Sequence, residues 1–359
     1  MRKERVIIAI PVAHTFLFQD ICLSQLVKFD PGIANIKVVV VTNSHQWSDS
    51  YKNAVEWSMQ DDLPFPIEVI PNDRASTWHG TALDCAVEHF DADYFFAMEP
   101  DVLILSDDWL SWFIRKMEET VDCFSVGHWH AEGFVNPSAT LYRMDLLKEA
   151  FREFRANKDP MMYWGPNFER SENIIAHYDR FLDDVGPFSE KRGWPPGTRL
   201  KGPTPSGQLR GPGWYEPAQQ LHHWAVEKGF SYVSVPCQHY IHPERKIPVG
   251  TYYRGDTNTR PFKEDLPEGA DFLMVHVWGG TRALDILKHP VSDPTVNNNA
   301  EFWLRREAAL WKKVVPAERK QVTLRLMRES GWYNRPTTER EDAAVRTVLG
   351  YYEKEGLVL

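Results

Sequence analysis

Continuous apolar runs and amphipathic segments alternate along the first third of the chain. The apolar runs, rich in β-branched or aromatic residues, lie at 6–10, 36–42 and 94–98, and a further strand is predicted at 67–70. Segments with a helical apolar stripe lie between and after them, at 18–29, 46–60, 81–89 and 110–118. Runs without a polar face are typical of parallel strands that helices cover on both sides. The pattern therefore predicts an α/β fold with a mainly parallel sheet flanked by helices.

The polar segments that follow these strands are the first candidates for a functional site. In open α/β sheets, ligands bind at the carboxyl ends of the strands. The segments that leave the predicted strands at that edge are 11–15, 42–48, 72–80 and 99–101. Functional side chains are therefore expected in these four segments.

The second half of the chain is less regular. A strand is predicted at 123–126, followed by a turn rich in His and Trp at 127–130. The window 189–213 holds six Gly, five Pro and five basic residues against one acidic residue, a net charge of +4. This composition predicts a linker or a mobile loop over an anionic ligand. We favour the loop because helix and strand patterns resume at 216–235.

From residue 283 onward the pattern is helical, and this boundary divides the chain into two predicted parts. Residues 1–282 form the α/β domain, and residues 283–359 form a small C-terminal helical extension. Over 301–335, nine basic residues outnumber four acidic ones, a net charge of +5. Such a strip binds a polyanion, or it is the solvated face of an amphipathic helix whose Arg residues pair with Glu.

Composition and charge exclude several classes of protein. The 359 residues are 43% hydrophobic and 25% charged with a net charge of -9, which is typical of a globular protein and not of a disordered or fibrous one. No apolar run approaches the roughly 20 residues that span a bilayer. Pro11 and His14 interrupt the first run, which is therefore expected to be a strand and not a signal peptide. The four Cys lack paired spacing, which predicts buried thiols and a cytoplasmic protein.

Glu99 and Asp101 are the strongest chemical signal. They follow the apolar run 94–98 at the ligand-binding edge of the predicted sheet, with one residue between them. Two carboxylates held together there need a cation, or one of them must take up a proton. Oxygen ligands of this kind suit Mg²⁺ or Mn²⁺, which also bind substrate phosphates. The alternative is a solvated turn that carries two acids.

With this pair in place, the sequence resembles the GT-A class of nucleotide-sugar glycosyltransferases over roughly residues 5–245. The resemblance rests on Ile10-Pro11-Val12, on VVVVTNS at 38–44, on NDRASTWHGTALDCAVEHF at 72–90, and on DADYFFAMEPDV at 91–102, where the family has its DxD motif. It implies a Rossmann-like GT-A fold and a nucleoside-diphosphate sugar as donor, with a UDP-sugar favoured. It also implies that Asp101 binds Mn²⁺ or Mg²⁺ directly, with Glu99 in place of the family's first Asp.

Further residues are assigned to the donor and acceptor pockets. By the same resemblance, the nucleoside pocket is lined by Pro11, Val12, Asn43 and Arg74, although a turn or surface role is equally open for each. The residues interpreted as part of an acceptor pocket, or else as surface turn residues, are His128, Trp129, His130 and Trp214. The expected acceptor is a hydroxyl group, with a glycan favoured and nucleic acid left open.

Glu216 is the candidate catalytic base. It lies in GPGWYEPAQQLHHWAVEKGFSYVSVP at 211–236, which is similar to the region of the family's xED motif, with Pro217 in place of the Asp. An acceptor hydroxyl is a weak nucleophile and must lose its proton as it attacks the anomeric carbon. Glu216 would accept that proton, unless it only caps the helix that follows.

One histidine is expected to complete the metal site. His276 is favoured, and His239 and His242 are the alternatives. The segment HVWGGTR at 276–282 resembles the HxxGxxK pattern of a retaining GT-A family, in which the His binds metal and the Gly-rich turn approaches the diphosphate. The residues that would contact the diphosphate are Gly279, Gly280, Thr281 and Arg282. The resemblance of HVWGGTR favours retention of the anomeric configuration, whereas Glu216 favours inversion. The stereochemistry therefore stays open.

The predicted function is metal-dependent transfer of a sugar from a nucleoside-diphosphate sugar to a hydroxyl acceptor. Two alternatives stay open, a nucleotidyltransferase that makes a nucleotide-sugar and an inactive carbohydrate-binding protein. A glycoside hydrolase is disfavoured, since two acids so close in sequence do not lie on opposite sides of a glycosidic bond. Of the 14 Trp, those predicted to be core residues are Trp57, Trp112, Trp303 and Trp311. Those predicted to lie in loops beside the substrates are Trp78, Trp129, Trp164, Trp194, Trp214 and Trp278.

Overall fold

A computed structural model of the chain contains two sheets and eight helices in the part that it describes. The described residues are 4–12, 16–30, 32, 35–42, 49–72, 79–130, 134–157, 218–241, 248–255, 272–277 and 294–330. The strands are β1 (Arg5–Val12), β2 (Asn35–Thr42), β3 (Ile67–Pro71), β4 (Tyr94–Met98), β5 (Val102–Ile104), β6 (Cys123–His130), β7 (Phe134–Arg143), β8 (Ser231–Ser234), β9 (Cys237–Ile241), β10 (Pro248–Arg254) and β11 (Phe272–Val277). The helices are α1 (Phe16–Lys28), α2 (Asp49–Ser58), α3 (His79–His89), α4 (Trp109–Glu119), α5 (Met144–Asn157), α6 (Gln219–Glu227), α7 (Pro294–Val314) and α8 (Ala317–Ser330). None of these helices has both the length and the apolar character that a bilayer span requires.

The larger sheet has seven strands in the order β3-β2-β1-β4-β7-β6-β8. Neighbouring strands are parallel from β3 through β4, and β6 is parallel to β8. The strand β7 is antiparallel to both of its neighbours, β4 and β6. The four strands predicted in the first third of the chain lie side by side in this sheet, and the α/β prediction is confirmed.

Helices cover both faces of this sheet because successive residues of a strand point to opposite sides. On one face, Val6, Ile8 and Ile10 of β1 share a core with residues of α1, α2 and α4. On the other face, Ile7 and Ala9 share a core with residues of α3, α5 and α6. The absence of a polar face in the strand pattern is thus explained by burial on both sides.

The smaller sheet has four antiparallel strands in the order β5-β11-β10-β9. The segment 99–101 connects β4 of the larger sheet to β5 of the smaller one. The two sheets therefore meet at Glu99 and Asp101. On one face of the smaller sheet, Tyr252 and Val275 share a core with Leu17 of α1 and Trp311 of α7. The C-terminal helices therefore pack on the α/β domain. The predicted boundary at 282 lies outside the described residues.

The buried carboxylate of Asp20 in α1 joins the C-terminal helices to the rest of the domain. Its Oδ1 accepts hydrogen bonds from Asn53 Nδ2 at 2.9 Å and from Trp57 Nε1 at 2.8 Å. Its Oδ2 accepts hydrogen bonds from Trp311 Nε1 at 3.0 Å and from the hydroxyl of Thr323. One carboxylate therefore links residues of α1, α2, α7 and α8.

Basic residues of the strip at 301–335 are used within the protein. The buried guanidinium of Arg319 lies 3.7 Å from Asp20 Oδ1, where it offsets the charge of that carboxylate. The guanidinium of Arg325 pairs with Glu56 at 2.7 Å. These two contacts show that part of the strip pairs with acidic residues of the α/β domain.

The turn predicted at 127–130 is wrong, because β6 continues to His130. After a register shift between Gly127 and His128, the strand pairs again with β7, and His130 lies opposite Phe134. The sequence Gly-His-Trp-His has no apolar alternation, so the hydrophobic pattern ends too early. Pairing with a neighbouring strand, which local sequence does not report, stabilises this part of β6.

The division of the tryptophans is confirmed for the core group. The exposed fractions of Trp57, Trp112, Trp303 and Trp311 are 2%, 5%, 6% and 1%. Trp129 belongs to β6 and not to a loop. The other tryptophans predicted in loops lie outside the described residues, as does the window 189–213, and they are Trp78, Trp164, Trp194, Trp214 and Trp278.

Candidate active site

Glu99 and Asp101 lie on the short connection between the two sheets. The backbone N–H of Glu99 donates to the carbonyl of Ser138 in β7 at 2.8 Å. The backbone N–H of Val277 in β11 donates to the carbonyl of Asp101 at 2.8 Å. One end of the connection is thus hydrogen-bonded to the larger sheet and the other end to the smaller sheet. Both carboxylates lie at the carboxyl edge of the parallel strands, as the sequence predicts.

His276 of β11 meets these carboxylates. The strand register places it opposite Val102, the residue that follows Asp101. Its Nε2 lies 2.9 Å from Glu99 Oε2 and 3.4 Å from Asp101 Oδ1. The exposed fractions of the side chains are 25% for Glu99, 4% for Asp101 and 19% for His276. The three residues thus form a largely buried cluster that keeps some access from solvent.

The two carboxylates control the charge of His276. Burial alone would lower the pKa of the imidazole, but the charge of Asp101 and hydrogen bonds to Asp101 and Glu99 outweigh it. The pKa of His276 is raised to about 10. Without a metal, the ring is therefore a cation at neutral pH, and it occupies the position where a cation is needed.

The cluster fits a divalent metal ion. Its three ligand atoms all lie within 4.8 Å of one another. Asp101 Oδ1 is buried, and its contact with His276 Nε2 is long, at 3.4 Å. A buried carboxylate oxygen with only one long contact is costly, and a metal ion would satisfy it better. Two carboxylates and one imidazole suit Mn²⁺ or Mg²⁺ with open positions for water or phosphate.

Binding of Mn²⁺ is expected to release about one proton from His276, because a metal ligand must be neutral. The ring is charged below its pKa of about 10, so affinity for Mn²⁺ should rise with pH through the neutral range. Titration calorimetry at neutral pH, in two buffers that differ in ionisation enthalpy, measures this proton. The His276→Gln variant should bind Mn²⁺ more weakly and release none. Equal heats for the wild type in both buffers would contradict the assignment.

The other candidate residues fall into two groups. Pro11 and Val12 are buried at the carboxyl end of β1, which pairs with β4 beside the carboxylates. His239 lies on β9, and His128 lies on β6, as do Trp129 and His130. The structure therefore brings His276, and not His239, to the carboxylates. The candidates outside the described residues are Asn43, Arg74, Trp214, Glu216, His242, Gly279, Gly280, Thr281 and Arg282.

The sequence did not single out two residues near the site, Tyr253 and Cys237. Tyr253 is fully buried, and burial together with the charges of Glu99, Cys237 and Asp101 raises the pKa of its hydroxyl. Cys237 is half-buried, whereas Cys22, Cys85 and Cys123 are buried as predicted. Tyr253 reads as an ordinary strand residue, and only the pairing of β9 with β10 brings it opposite Cys237.

Comparisons with known proteins give only distant matches. No protein-family model and no curated protein matches the chain. The solved mannosyltransferase PcManGT from Pyrobaculum calidifontis, in complex with GDP-Man and Mn²⁺, is 11% identical with a TM-score of 0.38, over 99% of this chain and 85% of that one. Glucosyl-3-phosphoglycerate synthase from Mycobacterium tuberculosis, in complex with Mn²⁺ and UDP-Glc, is 10% identical with a TM-score of 0.34, over 67% of this chain and 84% of that one. Likeness at this level carries no argument about function.

Proposed function

We propose that this protein is a metal-dependent glycosyltransferase of the GT-A type, which transfers a sugar from a nucleoside-diphosphate sugar to a hydroxyl acceptor. One observation carries the proposal, namely the cluster of Glu99, Asp101 and His276 at the carboxyl edge of a mainly parallel sheet. This edge is where α/β sheets bind their ligands. The buried negative charge of Asp101 favours a cation in the cluster, a role that the protonated His276 ring fills until a metal ion takes its place.

The protein's own contribution is to hold the three ligands in place. A bound Mn²⁺ or Mg²⁺ would neutralise negative charge on the diphosphate leaving group. Asp101 and Glu99 would hold the ion through oxygen and His276 through nitrogen. The backbone hydrogen bonds to Ser138 and Val277 hold the main chain of Glu99 and Asp101 in place, so that it would need little reorganisation when an ion binds.

The donor is proposed to lie across the ends of β1 and β4. Pro11 and Val12 at the end of β1 would form the floor of the nucleoside pocket, and Asn43 and Arg74 would complete it. The Gly-rich segment 279–282, which comes shortly after His276 in the sequence, would contact the diphosphate through its backbone N–H groups. A UDP-sugar is the proposed donor because of the resemblance to the GT-A class.

Glu216 is proposed as the base, and its replacement by glutamine should lower kcat about a hundredfold, since the amide cannot take the acceptor's proton. The affinity for Mn²⁺ should stay unchanged because Glu216 is not among the proposed ligands. Rates of nucleoside diphosphate release with saturating donor and acceptor give the comparison. Glu227→Gln, at an exposed position of α6, is the matched control and should keep wild-type kcat. Equal rates in the two variants would remove Glu216 from the mechanism.

A panel of nucleotide-sugars, each incubated with the protein and Mn²⁺, tests the proposed class and donor. One donor should yield nucleoside diphosphate, at a rate that rises when a glycan acceptor is added. Release of pyrophosphate from a nucleoside triphosphate and a sugar phosphate would instead identify a nucleotidyltransferase. Proton NMR of the transferred sugar would decide between inversion, which Glu216 favours, and retention.

A further inference from the structure

Three metal-binding side chains meet outside the carboxylate site, where β9 of the smaller sheet approaches β6 of the larger one. They are His128 of β6 with Cys237 and His239 of β9, and their ligand atoms lie within 4.8 Å of one another. Cys237 Sγ lies 3.1 Å from His128 Nδ1. His128 and Cys237 are half-buried and His239 is exposed, so an ion can reach the cluster from solvent.

The strand geometry explains why these residues meet. Cys237 and His239 are two positions apart on β9, so their side chains share one face of the strand. The ring of His239 is oriented by a contact of 2.9 Å between its Nδ1 and the hydroxyl of Thr251, its partner on β10. On β6, the register shift between Gly127 and His128 changes the direction of the strand at this point. The rings of His128 and His239 meet edge to face, 5.5 Å apart at 73°.

The donor atoms differ in kind from those of the carboxylate site. One thiolate and two imidazoles suit zinc, whereas two carboxylates and an imidazole suit the harder ions Mn²⁺ and Mg²⁺. Although the residue as a whole is exposed, partial burial of its ring lowers the pKa of His239, which favours the neutral form that binds metal. Burial raises the pKa of Cys237, so the thiol holds its proton until an ion displaces it.

A buried hydroxyl next to the cluster gives independent support. Tyr253 is fully buried, and its hydroxyl forms no hydrogen bond to any described residue. Its ring lies 5.9 Å from that of His128, and it lies opposite Cys237 in the strand register. A three-ligand zinc ion keeps a fourth position for water, and such a water would supply the hydrogen-bond partner that Tyr253 lacks among the described residues.

We propose that His128, Cys237 and His239 bind a zinc ion at a second metal site, separate from the carboxylate site. His239 and His276 lie opposite Thr251 from the two sides, so the backbones of these two ligands are two strand spacings apart, roughly 10 Å. On binding, the Cys237 thiol loses its proton to solvent and the sulfur bonds to zinc. The ion clamps the edge strand of the smaller sheet to β6 of the larger sheet. The proposal does not depend on the function of the carboxylate site.

Cobalt and zinc titrations of the full chain, stripped of metal with EDTA, test the second site. Co²⁺ should give a thiolate-to-cobalt charge-transfer absorption, which one equivalent of Zn²⁺ abolishes. Cys237→Ser should lose this absorption and bind Zn²⁺ at least about a hundredfold more weakly, more than the loss of an outer-shell partner costs. Zn²⁺ should also slow the reaction of Cys237 with a thiol reagent, because the sulfur would then be bound to the ion. The other three cysteines are buried, so the reaction reports on Cys237.

Matched variants separate the outcomes. Asp101→Asn should keep the thiolate absorption, since Asp101 belongs to the other site. If Cys237→Ser fails to fold, His239→Gln gives the same test at an exposed position, with the exposed His89→Gln as its control. His239→Gln should weaken Zn²⁺ binding, and His89→Gln should leave it unchanged. A Co²⁺ complex without thiolate absorption, or equal Zn²⁺ affinity in His239→Gln and the wild type, would overturn the proposal.

Discussion

Replacing Asp101 with asparagine is expected to lower the rate of sugar transfer about a thousandfold and to weaken Mn²⁺ binding. The amide keeps the size of the side chain but removes the buried negative charge that a cation would neutralise. Loss of one group that stabilises developing charge costs a factor of this size in enzymes. Nucleoside diphosphate release gives the rate, and the EPR signal of unbound Mn²⁺ gives the affinity. Since the charge of Asp101 raises the pKa of His276, NMR should also show a lower pKa for that imidazole.

Asp107→Asn is the matched control for this experiment. Asp107 is exposed and follows β5 by three residues, so it undergoes the same chemical change in the same region of the chain. Its rate and its Mn²⁺ affinity should equal those of the wild type. If Asp101→Asn and Asp107→Asn both retained full activity, the carboxylate cluster would not be the active site.

Replacing Asp20 with alanine is expected to lower the free energy of unfolding by about 3–5 kcal/mol, the usual cost of removing one partner of a buried ion pair. The change leaves the buried guanidinium of Arg319 without its carboxylate. It also removes the acceptor for the indole N–H groups of Trp57 and Trp311, which are both buried. Urea denaturation measures the loss. Hydrogen exchange should quicken most in α7 and α8, which Asp20 holds against the domain.

Asp61→Ala provides the comparison for Asp20. Asp61 is exposed in the turn after α2, and its removal should change the free energy of unfolding by less than about 0.5 kcal/mol. A loss for Asp20→Ala no larger than that of Asp61→Ala would show that the buried network contributes nothing to stability. If the hydrogen-exchange rates of α7 and α8 were the same in Asp20→Ala and in the wild type, Asp20 would not hold these helices against the domain.

The central strands and the carboxylates could be predicted from the sequence because local pattern determines them. A strand buried on both faces must be apolar almost throughout, so β1, β2 and β4 are visible as runs, whereas the edge strand β3 carries the exposed Glu68. Glu99 and Asp101 stand out because two acids directly after such a run are unusual for a core. The fold class and the ligand edge follow from these two local features alone.

The rest depends on contacts between residues far apart in the sequence. The choice between His276 and His239 is decided by strand register, since both residues lie opposite Thr251 but only His276 lies next to β5. Cys237 and His128 are 109 positions apart in the sequence, so no local spacing predicts their contact. Asp20 is one polar residue in a helix, and its role depends on helices almost 300 residues later.

The most direct test of the central claim is sugar transfer by the wild-type protein, first stripped of metal with EDTA and then supplied with Mn²⁺. Release of nucleoside diphosphate from the donor should fall to background without metal. It should return in proportion to the occupancy of the site formed by Glu99, Asp101 and His276. Transfer at an undiminished rate in the presence of EDTA would contradict a metal-dependent glycosyltransferase.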